Sequence, residues 1–171
     1  MTVFRCTKKF LTFFDISPSK FSVVSRAIFG EWYVNIVPTF RGESLLFVND
    51  PTLLAVVLPL GWVSDLESNF RERVLDLYHR LSFPKDAIIH ETNELESFLY
   101  TKTESRSVLG SMNDITFRLQ TWAEELVPGS GDTLKSFELA MSQMPLKRHN
   151  FKYPIEVAQM LIKKKEHKQK K

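Results

Sequence analysis

Apolar and polar residues alternate in several short segments of the chain, which is the pattern of half-buried β-strands. The clearest segments are residues 31–37 and 44–48, and the turn-forming sequence TFRG lies between them. A connection this short favours an antiparallel hairpin. Residues 2–6 and 98–103 predict two further strands, and residues 83–89 predict a turn followed by a short strand.

Other apolar residues recur at steps of three and four, which is typical of amphipathic helices. Helix starts are predicted at a capping side chain or beside an early proline: Thr7, Asn49, Ser64, Asp132 and Pro154. Residues 53–58 would form the buried turns of the second of these helices, and Ser64 with Glu67 matches a capping box. A long helix is predicted within residues 106–126. The helix after Ser64 has outward charges that we expect to be solvated: Arg71, Glu72, Arg73, Asp76 and Arg80.

These elements predict an α+β fold. A small antiparallel sheet, made of a hairpin at about residues 31–48 and strands near 2–6 and 98–103, would pack with four to six helices. The length of 171 residues suits one domain. We assign residues 1–162 to that domain and 163–171 to a disordered, lysine-rich tail.

Composition adds limits on location and chemistry. Hydrophobic residues make up 43% of the chain, which is enough for a core. No apolar run reaches the roughly 18 residues of a membrane-spanning helix, and charge enters the N-terminus before any signal-like stretch, so we expect a cytoplasmic protein. Cys6 is the only cysteine, which leaves no partner for a disulfide and no thiolate pair for zinc. We expect Cys6 to be a small buried side chain.

The positive charge is concentrated at the C-terminus. Six lysines lie in the last nine residues: Lys163, Lys164, Lys165, Lys168, Lys170 and Lys171. A lysine cluster attracts polyanions, so weak association with nucleic acid through this tail is one alternative. The tail itself has no aromatic residue for base stacking. A solubilising, frayed terminus is the other interpretation.

The segment 106–114 has an unusual outward face. If 106–126 is helical, an apolar stripe faces the core, whereas Arg106, Gly110, Asn113 and Phe117 fall on the opposite side. Glycine inside a helix costs about 1 kcal/mol relative to alanine, so its presence points to close approach of another backbone or a ligand. Arginine and asparagine side chains suit anionic and amide partners.

The same glycine has a second interpretation, in which Gly110 precedes the helix. Ser111 would then be the N-cap and Asp114 would complete an S-x-x-D box. Under that interpretation the segment is architecture, and both alternatives remain open at this stage.

The residues RCTKK (5–9), a G-x-W-Y-x-N segment (30–35), LLFVN (45–49) and RSVLGSMND (106–114) resemble a prokaryotic family of small proteins that is classed as a domain of unknown function. The resemblance reaches to about Leu161, and its nine-residue core is the specific part. It implies a free-standing cytoplasmic protein and brings no reaction, cofactor or catalytic residue with it.

Catalytic motifs are sparse. The four histidines are isolated in sequence, and neither metal-ligand spacings nor phosphate-binding glycine loops occur, so we expect no metal and no cofactor. His90 and Asp114 are the weak candidates for general acid–base chemistry. The leading prediction is therefore a non-enzymatic intracellular binding or adaptor module for an unknown protein or a small anionic ligand, with Arg106, Gly110, Asn113 and Arg41 at its contact surface. An enzyme using residues 106–114, with nucleic acid as one substrate class, is the alternative.

Overall fold

The computed structural model describes residues 1–21, 23, 25–39, 42–62, 65–124 and 133–169. The strands are β1 (Thr2–Cys6), β2 (Trp32–Thr39), β3 (Gly42–Asn49), β4 (Ala55–Pro59) and β5 (Phe98–Lys102). The helices are α1 (Lys8–Phe13), α2 (Leu66–Arg80), α3 (Lys85–Glu94), α4 (Arg106–Glu124), α5 (Thr133–Ser142) and α6 (Pro154–Gln169). Short 3-10 turns occupy Leu60–Trp62 and Lys147–His149. Within these ranges no helix combines the length and the apolar character needed to cross a bilayer.

The five strands form one sheet in the order β4-β3-β2-β1-β5. The α+β class is confirmed, but the sheet is mixed and not purely antiparallel, because β1 pairs in parallel with both β2 and β5. A parallel pair needs a long connection, and such connections precede both β2 and β5. Alternation along a strand shows which residues face the core, but it carries no information about the direction of neighbouring strands.

The predicted hairpin is confirmed as an antiparallel pair of β2 and β3, with a register that runs from Trp32 opposite Asn49 to Thr39 opposite Gly42. Gly42 has a φ of 112°, a conformation that a side chain would strain. Arg41, a predicted contact residue at the tip of this hairpin, lies outside the described residues.

Two predicted elements are wrong. Residues 55–59 form β4 and not a helix, because this continuous apolar run is buried on both sides of the sheet and periodicity cannot identify such a strand. Residues 85–94 form α3, where the sequence predicted a short strand. Asn49 caps no helix. Its side-chain carbonyl accepts hydrogen bonds from the Thr52 backbone N–H at 3.1 Å and hydroxyl at 2.6 Å, which holds the turn between β3 and β4.

The sheet separates two hydrophobic clusters. Trp32, Val34 and Ile36 of β2 face the side covered by α1, α2, α3 and α6. Tyr33 and Val37 face the other side, which α4 and α5 cover. Among the described helices, the long helix predicted within 106–126 shares this side of the sheet with α5.

The outward charges of α2 are not simply solvated. Arg73 and Arg80 both bind the carboxylate of Glu138 on α5, at 2.8 and 2.7 Å, and the Glu138 side chain is completely buried. Glu138 also accepts the Val57 N–H at 2.9 Å, so it covers the free edge of β4. The N-cap of α2 is Asp65, whose side chain accepts from the Ser68 N–H, whereas the predicted cap Ser64 lies outside the described residues.

The lysine-rich segment is helical as far as it is described. Helix α6 continues through residues 163–169, where the sequence predicted a disordered tail. Lys170 and Lys171 lie outside the described residues. The predicted linker at 127–132, including the proposed cap Asp132, lies outside them as well.

Candidate functional site

The start of α4 is held in place by polar contacts with the sheet. The Ser105 side chain accepts the Val108 N–H at 3.3 Å, so Ser105 is the N-cap. The Ser105 N–H donates to the Tyr33 hydroxyl on β2 at 3.0 Å. Arg5 on β1 binds Glu104 at 2.6 Å. These contacts place the first turn of α4 and rule out the interpretation in which Gly110 precedes the helix and Ser111 caps it.

Arg5 is itself fixed. Its guanidinium makes a two-point contact with the Glu31 carboxylate, at 2.6 and 3.1 Å, and is largely buried. The hydrogen bonds to Glu31 are the main reason why the Arg5 pKa lies above its ordinary value. A side chain so fully engaged orients α4 and is not available to a ligand.

The inward stripe of α4 is confirmed, since Val108, Met112, Ile115 and Leu119 are buried against the sheet. The opposite side is open to solvent. We use the name α4 face for its four residues, which are all exposed: Arg106, Gly110, Asn113 and Phe117.

The side chains of the α4 face make few contacts with the rest of the described structure. The Phe117 ring is 70% exposed. A Cβ added at Gly110 would meet no atom within 4 Å. Within the described part of the chain, the side chains of Arg106 and Asn113 make no hydrogen bond or ion pair. No packing within the described structure therefore explains the glycine.

An apolar groove of about 520 Å³ adjoins the α4 face and lies between α4 and α5. Phe117 and Trp122 line it from α4, and Met141 and Met144 line it from α5. Asp114 and Arg118 provide its charged residues. Methionine side chains adapt to varied apolar shapes, and a volume of this size accommodates a few side chains of a partner.

The indole of Trp122 carries an unused hydrogen-bond donor. Its Nε1 is buried and has no partner among the described residues, although the ring packs edge-on against Phe137 with centroids 6.0 Å apart. A buried N–H without an acceptor costs free energy. Helical spacing puts Trp122 on the apolar stripe of α4, and nothing in the sequence indicates this donor.

The two weak catalytic candidates do not meet. Asp114 is exposed on α4, whereas His90 lies on α3, on the opposite side of the sheet. Cys6 is buried as expected, and burial raises the pKa of its thiol to about 12, which keeps it protonated.

His90 has neighbours that the sequence could not reveal. Its Nε2 contacts the Lys165 Nζ on α6 at 2.5 Å, and its Nδ1 lies 3.6 Å from a carboxylate oxygen of Glu91. Burial raises the pKa of Glu91 to about 7, and burial together with the charge of Lys165 lowers the pKa of His90. A pocket of about 370 Å³ is lined by His90, Lys165 and Asp86.

Glu91 also has an architectural role, since its carboxylate accepts the backbone N–H of Ile28. Lys165 similarly donates to the Arg26 carbonyl at 3.3 Å. The cluster of His90, Glu91 and Lys165 therefore ties α3 and α6 to the loop before β2. No group of three or more metal-ligating side chains was found among the described residues.

The fold defines an α+β domain with a mixed five-stranded sheet and one exposed helix face beside an apolar groove. The chain belongs to the family described as Domain of unknown function (DUF6933), whose model matches residues 3–157. No curated protein and no solved structure matches it. The matched range contains the whole α4 face and ends before Lys165.

Proposed function

We propose that this protein is a non-enzymatic cytoplasmic binding module that recognises a segment of another protein through the α4 face and the adjoining groove. The observation that carries the proposal is Gly110. It lies inside a helix, it is exposed, and no described atom lies where its side chain would be. A residue that weakens the helix by about 1 kcal/mol without a packing reason is explained if a partner approaches there.

The surroundings of Gly110 indicate the chemistry of the partner. The groove offers aromatic and methionine side chains to an apolar anchor, and the exposed Phe117 extends that surface. Arg106 and Arg118 suit a carboxylate, and the Asn113 amide suits a backbone group. The partner that fits is an amphipathic segment with apolar and acidic residues, which is the helix-in-groove mode of recognition.

The groove is a sufficient anchor because a few apolar side chains carry most of the binding energy in such interfaces. A partner side chain that enters it would remove the exposed surface of Trp122 and Met144 from water. Arg41 at the hairpin tip, the fourth predicted contact residue, belongs to the proposed surface on sequence grounds alone.

The test begins with a photo-crosslinker. Benzoylphenylalanine at position 117, which preserves an aromatic side chain, should capture a defined partner peptide in cells, and mass spectrometry identifies it. The same crosslinker at Phe21, which is 80% exposed and lies in another part of the molecule, is the matched control. Capture of the same peptide from both positions would contradict the proposal.

The identified peptide is then synthesised and its affinity measured by calorimetry. Gly110→Leu should weaken binding by about tenfold or more, because leucine occupies the approach path and blocks a central contact. Glu72→Leu places the same side chain on the exposed face of α2 and should bind as the unmodified protein does. Equal affinity of the Gly110→Leu variant would refute the proposal.

A second candidate function, general acid–base chemistry, is favoured by the contact of His90 with Glu91 and Lys165. The Lys165 amine contacts the imidazole directly, and the Glu91 carboxylate lies 3.6 Å from the other ring nitrogen, so the imidazole is placed to act as a base toward the amine. An enzyme of this kind would use the α3–α6 pocket and not residues 106–114, because the sheet separates them.

The amine of Lys165 should then react with an acylating reagent faster than the exposed Lys164, and His90→Gln should remove the difference. Equal labelling of both lysines would end this candidate.

A further inference from the structure

The loop before α6 holds an aromatic ring in solvent by means of a strained backbone. Asn150 and Phe151 have φ values of 52° and 63°, two consecutive non-glycine residues in the left-handed region. This conformation is uncommon for a bulky residue and costs about 1–2 kcal/mol. Hydrogen bonds from the Phe151 N–H to the Leu146 carbonyl and from the Lys152 N–H to the His149 carbonyl, both 3.1 Å, maintain it. The Phe151 ring is nevertheless 68% exposed, so the strain secures no burial.

The exposed ring continues into a face of α6. Tyr153 and Met160 are 42% and 54% exposed, and the Lys152 Nζ lies 3.9 Å from the Met160 Sδ. Lys163 and Lys164 follow Met160 at three and four residues, which puts them on the same side of the helix, and both are exposed. We call these six residues the α6 strip: Phe151, Lys152, Tyr153, Met160, Lys163 and Lys164.

The charge around the α6 strip is strongly positive. Residues 147–169 contain seven lysine and arginine residues and two glutamates. One of the glutamates, Glu156, accepts the Tyr153 N–H at 3.0 Å at the start of the helix. Arg148 binds Asp50 at 2.7 Å and so anchors the loop to the turn after β3. The lysines of the strip have no such carboxylate partner among the described residues.

We propose that the α6 strip binds single-stranded nucleic acid. Exposed aromatic rings beside a row of cations are the two components of such sites, since bases stack on the rings and phosphates lie along the cations. Phe151 and Tyr153 supply the rings, and Lys163 and Lys164 supply the charge about 15 Å further along the helix at 1.5 Å per residue. The lysine-rich tail has no aromatic residue of its own, and the fold provides them from the preceding loop.

Unpaired bases are the ligand that this arrangement favours over a duplex. Aromatic side chains stack on bases that are splayed out of a helix. The two rings of the α6 strip therefore cannot stack on the bases of a closed base pair. The site is independent of the α4 face, so the failure of one proposal leaves the other standing.

The experiment is fluorescence anisotropy with labelled oligouridine and oligothymidine of about 12 nucleotides, a length within the range that single-stranded binding folds cover. We expect both to bind, and an effect of the 2′-hydroxyl would show as a difference between the RNA and the DNA. The Phe151→Ala/Tyr153→Ala variant should bind about tenfold more weakly, because each stacked base contributes a substantial part of the affinity. Phe21→Ala removes an exposed ring elsewhere and should bind normally.

Salt dependence separates the two components. Lys163→Ala/Lys164→Ala should reduce the slope of log affinity against log salt by about 0.7 for each lysine, whereas the aromatic variant should leave the slope unchanged. Tyr153→Leu, which keeps an apolar side chain at a position with an ordinary backbone, guards against a loop rearrangement and should also weaken binding. The proposal is overturned if no oligonucleotide binds, if the aromatic variants bind as tightly as the unmodified protein, or if a duplex of the same sequence binds equally well.

Discussion

Arginine side chains on the outward faces of α2 and α4 have opposite environments. On α2, Arg73 and Arg80 converge on the buried carboxylate of Glu138, and both side chains are themselves partly buried. On α4, Arg106 has no partner within the described chain. Both helices have an apolar stripe and an outward face of polar residues, so the helical pattern predicts the same solvent-exposed environment for both outward faces. The difference lies in α5, which brings a carboxylate to α2 and only an apolar groove to α4.

The two helices show how a charged side chain that the fold requires differs from one that has no partner in the described structure. A charge that the fold needs is buried, paired and bonded to the backbone, as Glu138 is through the Val57 N–H. The charge of Arg106, by contrast, is exposed, and no described side chain pairs with it.

The largest effect should follow from the loss of the internal carboxylate. Glu138→Ala removes the buried carboxylate that Arg73 and Arg80 both bind and leaves the Val57 N–H without this acceptor, so the free energy of unfolding should fall by about 3–5 kcal/mol. Urea denaturation measures it, and Glu72→Ala on the exposed side of α2 is the control. A loss below about 1 kcal/mol would show that the ion pairs do not hold α5 in place.

Glu91 on α3 is a second buried carboxylate, and no arginine among the described residues binds it. Its pKa is raised from 4.5 to about 7 by burial, so between these values the folded protein holds a proton that the unfolded chain has lost. The free energy of unfolding should therefore decrease by about 3 kcal/mol as the pH rises from about 4.5 to about 7.

The difference between the protein and its Glu91→Gln variant isolates this contribution. His90 has a lowered pKa and acts in the opposite direction, since neutral imidazole is favoured in the folded state. Unfolding curves at several pH values should show a smaller decrease with rising pH for the variant. Parallel pH profiles would mean that Glu91 is ionised when folded.

A smaller effect, of opposite sign, is expected at the α4 face. Gly110→Ala should increase the free energy of unfolding by about 1 kcal/mol, because alanine favours the helix and the space around its Cβ is empty. Thermal denaturation measures the gain. A destabilised variant would reveal close packing at this position and would remove the basis of the proposed surface.

The smallest effect is expected from Arg106→Ala, which should change the free energy of unfolding by less than about 0.5 kcal/mol. Arg73→Ala, the corresponding change on α2, should be clearly destabilising because Glu138 would lose one of its two cations. Similar losses for both variants would erase the contrast between the two helices.

Local pattern was sufficient for part of the fold. The alternation in 2–6 and 98–103 and the short hairpin connection correctly predict β1, β5 and the β2–β3 pair, and Thr7 caps α1 through the Phe10 N–H as expected. The pattern gave the wrong element where both sides of a strand are buried, as in β4. It also did so where a helix is too short to show a clear apolar periodicity, as in α3.

The candidate site was predicted to a similar degree. Helical spacing was enough to place Arg106, Gly110, Asn113 and Phe117 on one side of α4. Whether that side is open depends on α5 and the sheet, which the spacing does not describe. The groove, the unpaired Trp122 N–H and the contact of His90 with Lys165 all join residues that are distant in sequence.

The amino-acid sequence alone determined which residues are inward and which are outward in most elements, because that division follows from periodicity within a few residues. Only the tertiary structure decided which outward residues acquire partners, because a partner such as Glu138 for Arg73 comes from a distant part of the chain. The same holds for the α6 strip, where the lysines are evident in the sequence. The exposure of Phe151 before the same helix depends on a loop that local hydrogen bonds shape and the distant Arg148–Asp50 ion pair anchors.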